Sequence, residues 1–262
     1  MTLLETNGVR LTADGDAPEI ATVTLTDGAR HNAQTPGTWR ALAEAGRLLP
    51  GSVRVVVLRG EGPSFSAGLD RRAFTPEGIP GELSTLELAH RDDAGIDAAI
   101  ASYQEAFTWW RRNDLISVAA VHGHAIGAGF QLALACDLRI CARGVRFAMA
   151  ETSLGLVPDL AGTKPLVDAV GYARALEICV TGRKVGAEEA ERIGLVNLVV
   201  PDADLDGAVA DLTAALLAAP RDAVIETKAL LRGTAGRDHD EQRAAERAAQ
   251  ARRLRDLVGL SD

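Results

Sequence analysis

The chain has 262 residues, of which 47% are hydrophobic, 24% charged and 4% aromatic, and its formal net charge is -8. That length fits one large α/β domain, or one domain with a helical appendage, and the scarcity of aromatic residues points to a core of Val, Leu, Ile and Ala. The negative balance excludes non-specific nucleic-acid binding, which needs a basic surface, although a local Arg or Lys can still hold an anionic small ligand. Cys136, Cys141 and Cys179 lie in apolar runs without metal-ligand spacing and read as reduced thiols, so no metal is expected. Residues 1–8 lack a basic region followed by an apolar run, and no stretch approaches the roughly 20 apolar residues of a membrane span. The expected location is the cytoplasm, with no membrane partner.

In chain order, residues 20 to 26 alternate Thr22, Thr24 and Thr26 against Ala21, Val23 and Leu25, the period of a half-buried strand. Thr38 reads as the cap of a helix carrying Trp39, Leu42, Ala43 and Leu49, closed by Pro50 and Gly51. Residues 53 to 58 form an apolar run suited to a strand buried on both faces. The stretch 71 to 95, with Pro76, Gly78, Pro80, Gly81 and several charges, reads as a mobile loop of the kind that covers sites. A helix over 96–112 follows, then a strand at 116–121, a Gly turn, a helix at 128–135, and strands at 137–142 and 146–149. Beyond residue 163 the pattern becomes helical, at 163–170, 172–179, 187–193, 204–218, 222–232 and 238–257, interrupted by a strand at 195–200 that ends at Pro201. The chain therefore divides into a strand–turn–helix core, 1–200, and a C-terminal helical region, 201–262.

Two glycine-punctuated turns stand out. Val55 to Leu58 runs into Gly60, Gly62 and Gly68, and Val118 to Val121 runs into Gly123, Gly127 and Gly129. Each is an apolar strand entering a turn whose backbone N–H groups can point at a ligand. Two such donors meeting at one oxygen make an oxyanion hole, which implies chemistry through an enolate or a tetrahedral adduct. A dinucleotide loop is a poorer reading, because the 127–132 stretch lacks the third glycine of that fingerprint.

These segments, with Arg30-His31-Asn32-Ala33, the Phe65-to-Asp70 turn, Cys136-Asp137, the Phe147-to-Gly162 stretch and Ala187-Glu188-Glu189-Ala190, resemble the crotonase superfamily, also called enoyl-CoA hydratase/isomerase, from about residue 20 to 231. The resemblance implies an α/β fold built as a spiral of ββα units with a C-terminal helical region for trimerisation. It also implies an acyl-CoA substrate with no separate cofactor, and a homotrimer or dimer of trimers. Carried over by position, the oxyanion donors are the main-chain N–H groups of Leu69 and Ala128. Gly127 lies beside them, and Ala67, Gly68 and Asp70 lie along the thioester's path. Arg30 and Lys228 are the candidates for the CoA phosphates. The segment from Glu241 onward departs from the family's closing segment.

The family's hydratases use two glutamates, and the resemblance puts the first at Gln131 and the second at Glu151. Glutamine can orient a water but has no titratable proton, so it cannot serve as general acid or base. The apolar approach Phe147-Ala148-Met149-Ala150 should desolvate Glu151 and raise its pKa. Asp159 occupies a position where several of the family's double-bond isomerases carry an acid. Glu151 and Asp159 therefore pair as proton carriers, which favours isomerisation over hydration. Hydration remains one alternative, a non-catalytic acyl-CoA binder another, and thioester or C–C hydrolysis a third. RNA binding, known in some members of the family, is disfavoured by the charge.

Overall fold

The computed structural model describes residues 1–259, so the expected 201–262 region is seen to residue 259 and residues 260–262 lie outside it. Strands β1 (Thr2–Thr6), β2 (Val9–Ala13) and β3 (Ile20–Leu25) precede helix α1 (Pro36–Leu48) and strand β4 (Val55–Gly60). Helices α2 (Thr85–Ala89) and α3 (Asp93–Thr108) lead to β5 (Ile116–Val121), β6 (His124–Ile126), α4 (Ala128–Ala135), β7 (Leu138–Ala142) and β8 (Arg146–Ala148). Then follow α5 (Thr163–Val170), α6 (Tyr172–Thr181), β9 (Val185–Gly186), α7 (Ala187–Arg192) and β10 (Leu198–Val200). Helices α8 (Leu205–Ala218), α9 (Arg221–Gly233) and α10 (His239–Leu257) complete the described chain.

Seven strands form one sheet in the order β1-β2-β3-β4-β5-β7-β10, and β6, β8 and β9 form a second, smaller one. The ladders from β3 through β4, β5 and β7 to β10 are all parallel, while β1 and β2 add an antiparallel edge. This is the expected α/β spiral: each central strand leaves the large sheet, turns and returns through a helix. Alternating residues of β4 and β5 face two different cores. Val56, Leu58 and Ala119 face the main one, whereas Val55, Val57 and Val118 pack with Leu205 and Val209 of α8. A boundary at residue 200 therefore does not separate two cores, because α8 covers the sheet's second face. Among the described residues no helix is long and apolar enough to cross a membrane.

Several local readings change. The N-cap of α1 is Thr35, with Pro36 in the first turn. Thr38 sits three residues in, its N–H donating to Thr35 Oγ1 at 3.2 Å while its own hydroxyl accepts from Thr35 N. Such a reciprocal box satisfies two orphan donors at once. The 71–95 stretch is more ordered than its composition predicts. Asp70 caps a 3-10 turn at Arg71–Phe74, a Ser84/Glu87 box caps α2, and Asp92 starts α3 earlier than expected. Side-chain caps, which are local, outweigh the glycines and prolines there. The β1–β2 hairpin lies wholly outside the predicted elements.

Candidate active site

The turns after β4 and β5 lie against each other. Phe65 N donates to His122 O (2.9 Å), Ser66 N to His124 O (2.8 Å) and Ile126 N to Ser66 O (3.0 Å). Glycine makes this approach possible. Gly68 has φ +85°, and a Cβ there would run into Ile126 O and lie 3.4 Å from Ala128 N. A Cβ at Gly129 would come within 2.6 Å of Ser66 O. The backbone of the first turn thus reaches the first residue of α4. The bridge between Gln34 and Leu69 uses the N–H groups of Gln34 and Asp70, leaving that of Leu69 without a partner among the described residues. The Ala128 N–H, in the first turn of α4 behind a glycine cap, has no intrahelical acceptor and lies at the positive end of the helix dipole. Both residues line a cavity of about 420 Å³.

That cavity runs between the two turns, the α2–α3 region and residues 150–160, with Trp39, Leu88, Ile100 and Tyr103 among its walls. It is mostly apolar with a few convergent polar groups, the usual form of a small-molecule site. A larger groove of about 750 Å³ lies elsewhere, but it is open, and its Arg10 and Arg59 are paired with Glu61 and Asp206. The smaller cavity is the one that brings free donors and half-buried acids together.

Two acids face it. Glu151 opens a 3-10 turn after β8, with one carboxylate oxygen, Oε1, accepting from Gln131 Nε2 at 2.7 Å. Its other oxygen, Oε2, is buried and without a hydrogen-bond partner among the described residues. Burial pushes the Glu151 carboxyl above its ordinary value; the bond from Gln131 pulls the other way and the charge of Asp159 adds to the lift. Asp159 is also pushed up by burial. Its loop is tied to α3, where Gln104 Nε2 donates to Asp159 O at 2.7 Å. A Cβ at Gly127 would lie 3.2 Å from Glu151 Oε1, so the acid stands directly behind the residue before Ala128. Free N–H donors beside a desolvated carboxylate can stabilise an enolate oxygen while a carbon-bound proton is removed.

Ala67, Gly68 and Gly127 line the cavity as expected. Asp70 does not: its buried carboxylate is held well below the ordinary range, first by hydrogen bonding from Arg72 and then by Arg30, while it caps the 3-10 turn. Arg30 lies over a neighbouring cleft, bonded to Asp70 at 2.9 Å and to Asp27. Lys228 corrects the sequence reading. Its Nζ is buried on α9, donating to Leu115 O (2.6 Å) and Asp137 Oδ2 (2.7 Å), and it holds that helix to the start of β5. It is therefore a structural cation and not one presented to phosphates. The cation missed from the sequence is Arg71, which lines the cavity and has no ion pair among the described residues. Its signal was only adjacency to the first glycine turn. Among the described residues no cluster of three His, Cys, Asp or Glu side chains could hold a metal ion.

A family model described as enoyl-CoA hydratase/isomerase matches residues 16–255. The chain belongs to that family. Its members include enzymes acting on CoA thioesters, and the solved structures it resembles agree in fold. A Thermobifida fusca protein described as an enoyl-CoA hydratase, solved in complex with CoA, is 48% identical, with a TM-score of 0.90 over 97% of this chain and 95% of that one. The same protein in complex with acetoacetyl-CoA superposes with a TM-score of 0.90 over 95% and 96% of the two chains. A relative with a different chemistry in its name, the 4-chlorobenzoyl coenzyme A dehalogenase-2 of an Arthrobacter species, is 34% identical over 204 residues, covering 77% of this chain and 70% of that protein.

Proposed function

We propose that this family member shifts the double bond of an enoyl-CoA thioester through an enolate, with no cofactor beyond the CoA that the substrate carries. The observation that carries this reading is the pair of half-buried carboxylates facing the same cavity as two N–H donors without partners among the described residues, with an amide and not an acid at residue 131. The complexes of the Thermobifida fusca relative with CoA and acetoacetyl-CoA support a CoA thioester as the ligand.

In this mechanism the N–H groups of Leu69 and Ala128 donate to the thioester oxygen. Glu151, standing behind Gly127, takes a proton from C2 of a 3-enoyl chain. The C2–H bond breaks and its electron pair spreads over the oxygen, C1, C2, C3 and C4. Asp159, in its protonated form, gives a proton to C4, where the new C–H bond forms, and the double bond comes to rest between C2 and C3. Proton exchange with solvent restores both acids. Two hydrogen bonds aimed at the developing charge matter because removing one such donor typically costs roughly 3–4 kcal/mol. Arg71 is the better-placed cation for an anionic part of the CoA. The exposed apolar side chains Leu154, Val157, Tyr172, Leu176 and Val180, beside the cavity and along α6, support self-association through that face, a surface outside the 201–262 region that the resemblance implies for trimerisation.

The test is NMR of the purified protein with trans-3-enoyl-CoA and, separately, with trans-2-enoyl-CoA. Movement of the 3-enoyl double bond into conjugation without a hydroxyl is the expected result. A 3-hydroxyacyl product from the 2-enoyl thioester would overturn the isomerase reading in favour of water addition. Chloride release from 4-chlorobenzoyl-CoA would overturn it in favour of the dehalogenase relative's chemistry. Silence in all three assays, with thioester binding unaffected by Glu151→Gln, would identify a binder.

A further inference from the structure

Residue 131 lies on the first turns of α4, 1% exposed, and its side chain is fixed from several directions. Its Oε1 accepts from the main-chain N–H groups of Leu160 (2.9 Å) and Gly162 (3.3 Å). Those two donors converge because Ala161, between them, has φ +61°, a left-handed conformation that a residue with a Cβ adopts at a cost. Gly162 is shaped to the same side chain: a Cβ there would lie 2.6 Å from Gln131 Cγ. The two N–H donors also fix which way the amide faces. Flipped, it would aim NH2 at both donors and leave all of them without an acceptor. So Oε1 faces the 160–162 loop, and Nε2 faces Glu151.

The consequence reaches both acids. Through Nε2 the amide occupies Oε1 of Glu151, leaving Oε2 buried and without a hydrogen-bond partner among the described residues. Through Oε1 it holds the loop that begins at Asp159. We propose that Gln131 is a positioning residue that straps Glu151 to the Asp159 loop, so that Oε2 is the single oxygen of Glu151 through which a proton moves. An acid at 131 would keep the bonds from Leu160 and Gly162 but face Glu151 with a second carboxylate, so the amide is the side chain that satisfies both neighbours. The amide oxygen has no lone pair left to accept from a water, because both are taken by Leu160 and Gly162.

The proposal rests on the reading of Glu151 as proton carrier, and its test separates the two. The carboxyl carbon of Glu151 is followed by 13C NMR titration in the full-length protein without substrate, its signal assigned by its loss in Glu151→Gln. Gln131→Met removes every polar contact at nearly constant volume. Gln131→Glu keeps the acceptor for Leu160 and Gly162 and so remains informative if the methionine variant fails to fold. Both should titrate Glu151 at higher pH than the wild type, since each lacks the donor that favours the charged form. With trans-3-enoyl-CoA, kcat should fall about 100-fold, the scale of a misplaced catalytic group, with little change in KM, and the acid limb of kcat/KM should move up in pH. An unmoved Glu151 titration overturns the strap. So does a loss confined to KM with the acid limb in place, because Gln131 would then touch substrate. If Glu151→Gln keeps the wild-type rate while the titration still moves in the Gln131 variants, the strap stands and the catalytic reading of Glu151 fails.

Discussion

The two walls of the cavity are built by different means. The wall that carries Leu69 and Ala128 is main chain: its donors are peptide N–H groups, and what the sequence must supply is the absence of side chains at Gly68 and Gly129. The other wall is side chain: Glu151, Asp159 and the Gln131 that touches both of their segments. A wall of peptide groups is indifferent to the side chains at its donors and intolerant of any atom at its contacts. A wall of carboxylates can be retuned by one neighbour, through burial, charge or a single hydrogen bond. Chemistry can therefore change on the second wall while the first stays fixed, which fits a family whose members carry names as different as hydratase and dehalogenase.

The sharpest way to break this contrast is Gly68→Ala. A methyl group there meets Ile126 O at a residue with φ +85°, so the two turns must separate and one donor is lost. The expected cost is roughly 3–4 kcal/mol of transition-state stabilisation, about 100- to 1000-fold in kcat/KM, read by steady-state kinetics. Thioester binding should suffer less than turnover. A loss confined to binding would argue that the junction serves only as a contact surface.

Lys228→Met tests the boundary of the site. Removing one partner of a buried ion pair costs about 3 kcal/mol or more, because Asp137 is left without its cation. Here Asp137 keeps the bonds from Ser117 N (2.9 Å) and Ser117 Oγ (3.1 Å), which places the expected loss near the low end. The variant should melt at lower temperature, with KM for the thioester little changed. A raised KM with an unchanged Tm would return Lys228 to the substrate.

The smallest expected effect is one of stability. Burial raises the folded-state pKa of Glu151 above its unfolded value, so between the two values the native chain binds more protons than the unfolded one. Stability therefore falls as pH rises through that window, and the deficit persists above it. Glu151→Gln removes the deficit while keeping an acceptor for Gln131. Its Tm should exceed the wild type's at pH 7, and the difference should close below about pH 4, where the ordinary carboxylate is itself protonated. An unchanged difference across that range would mean that Glu151 is not desolvated.

The first wall was legible in the sequence and the second only in part, for a physical reason. Glycines at fixed places after apolar strands report backbone geometry directly, so the turns around Gly68 and Gly127, the strand at 116–121 and the helix at 128–135 are legible in the residues alone. The β1–β2 hairpin is equally local: Asn7 and Gly8, at φ +47° and +74°, form the turn expected of an Asn-Gly pair between strands. Lys228 was not readable, because a lysine's destination depends on Asp137 and on a helix packed from far along the chain. The tie of Gln131 to the 160–162 loop depends on the left-handed Ala161, a conformation its residue type does not announce. Side-chain partners across the fold are tertiary facts, whereas the caps of the 71–95 stretch are local and are masked only by the glycines and prolines around them.

The account turns on Glu151 taking a proton from C2 of a thioester whose oxygen is held by the main-chain wall. The direct measurement is deuterium incorporation at C2 of trans-3-enoyl-CoA in D2O, followed by NMR for the wild type and Glu151→Gln. The wild type should exchange that hydrogen, and the variant should do so roughly 100- to 10,000-fold more slowly, the range a general base contributes. Exchange at the wild-type rate in the variant would place the base elsewhere and contradict the account.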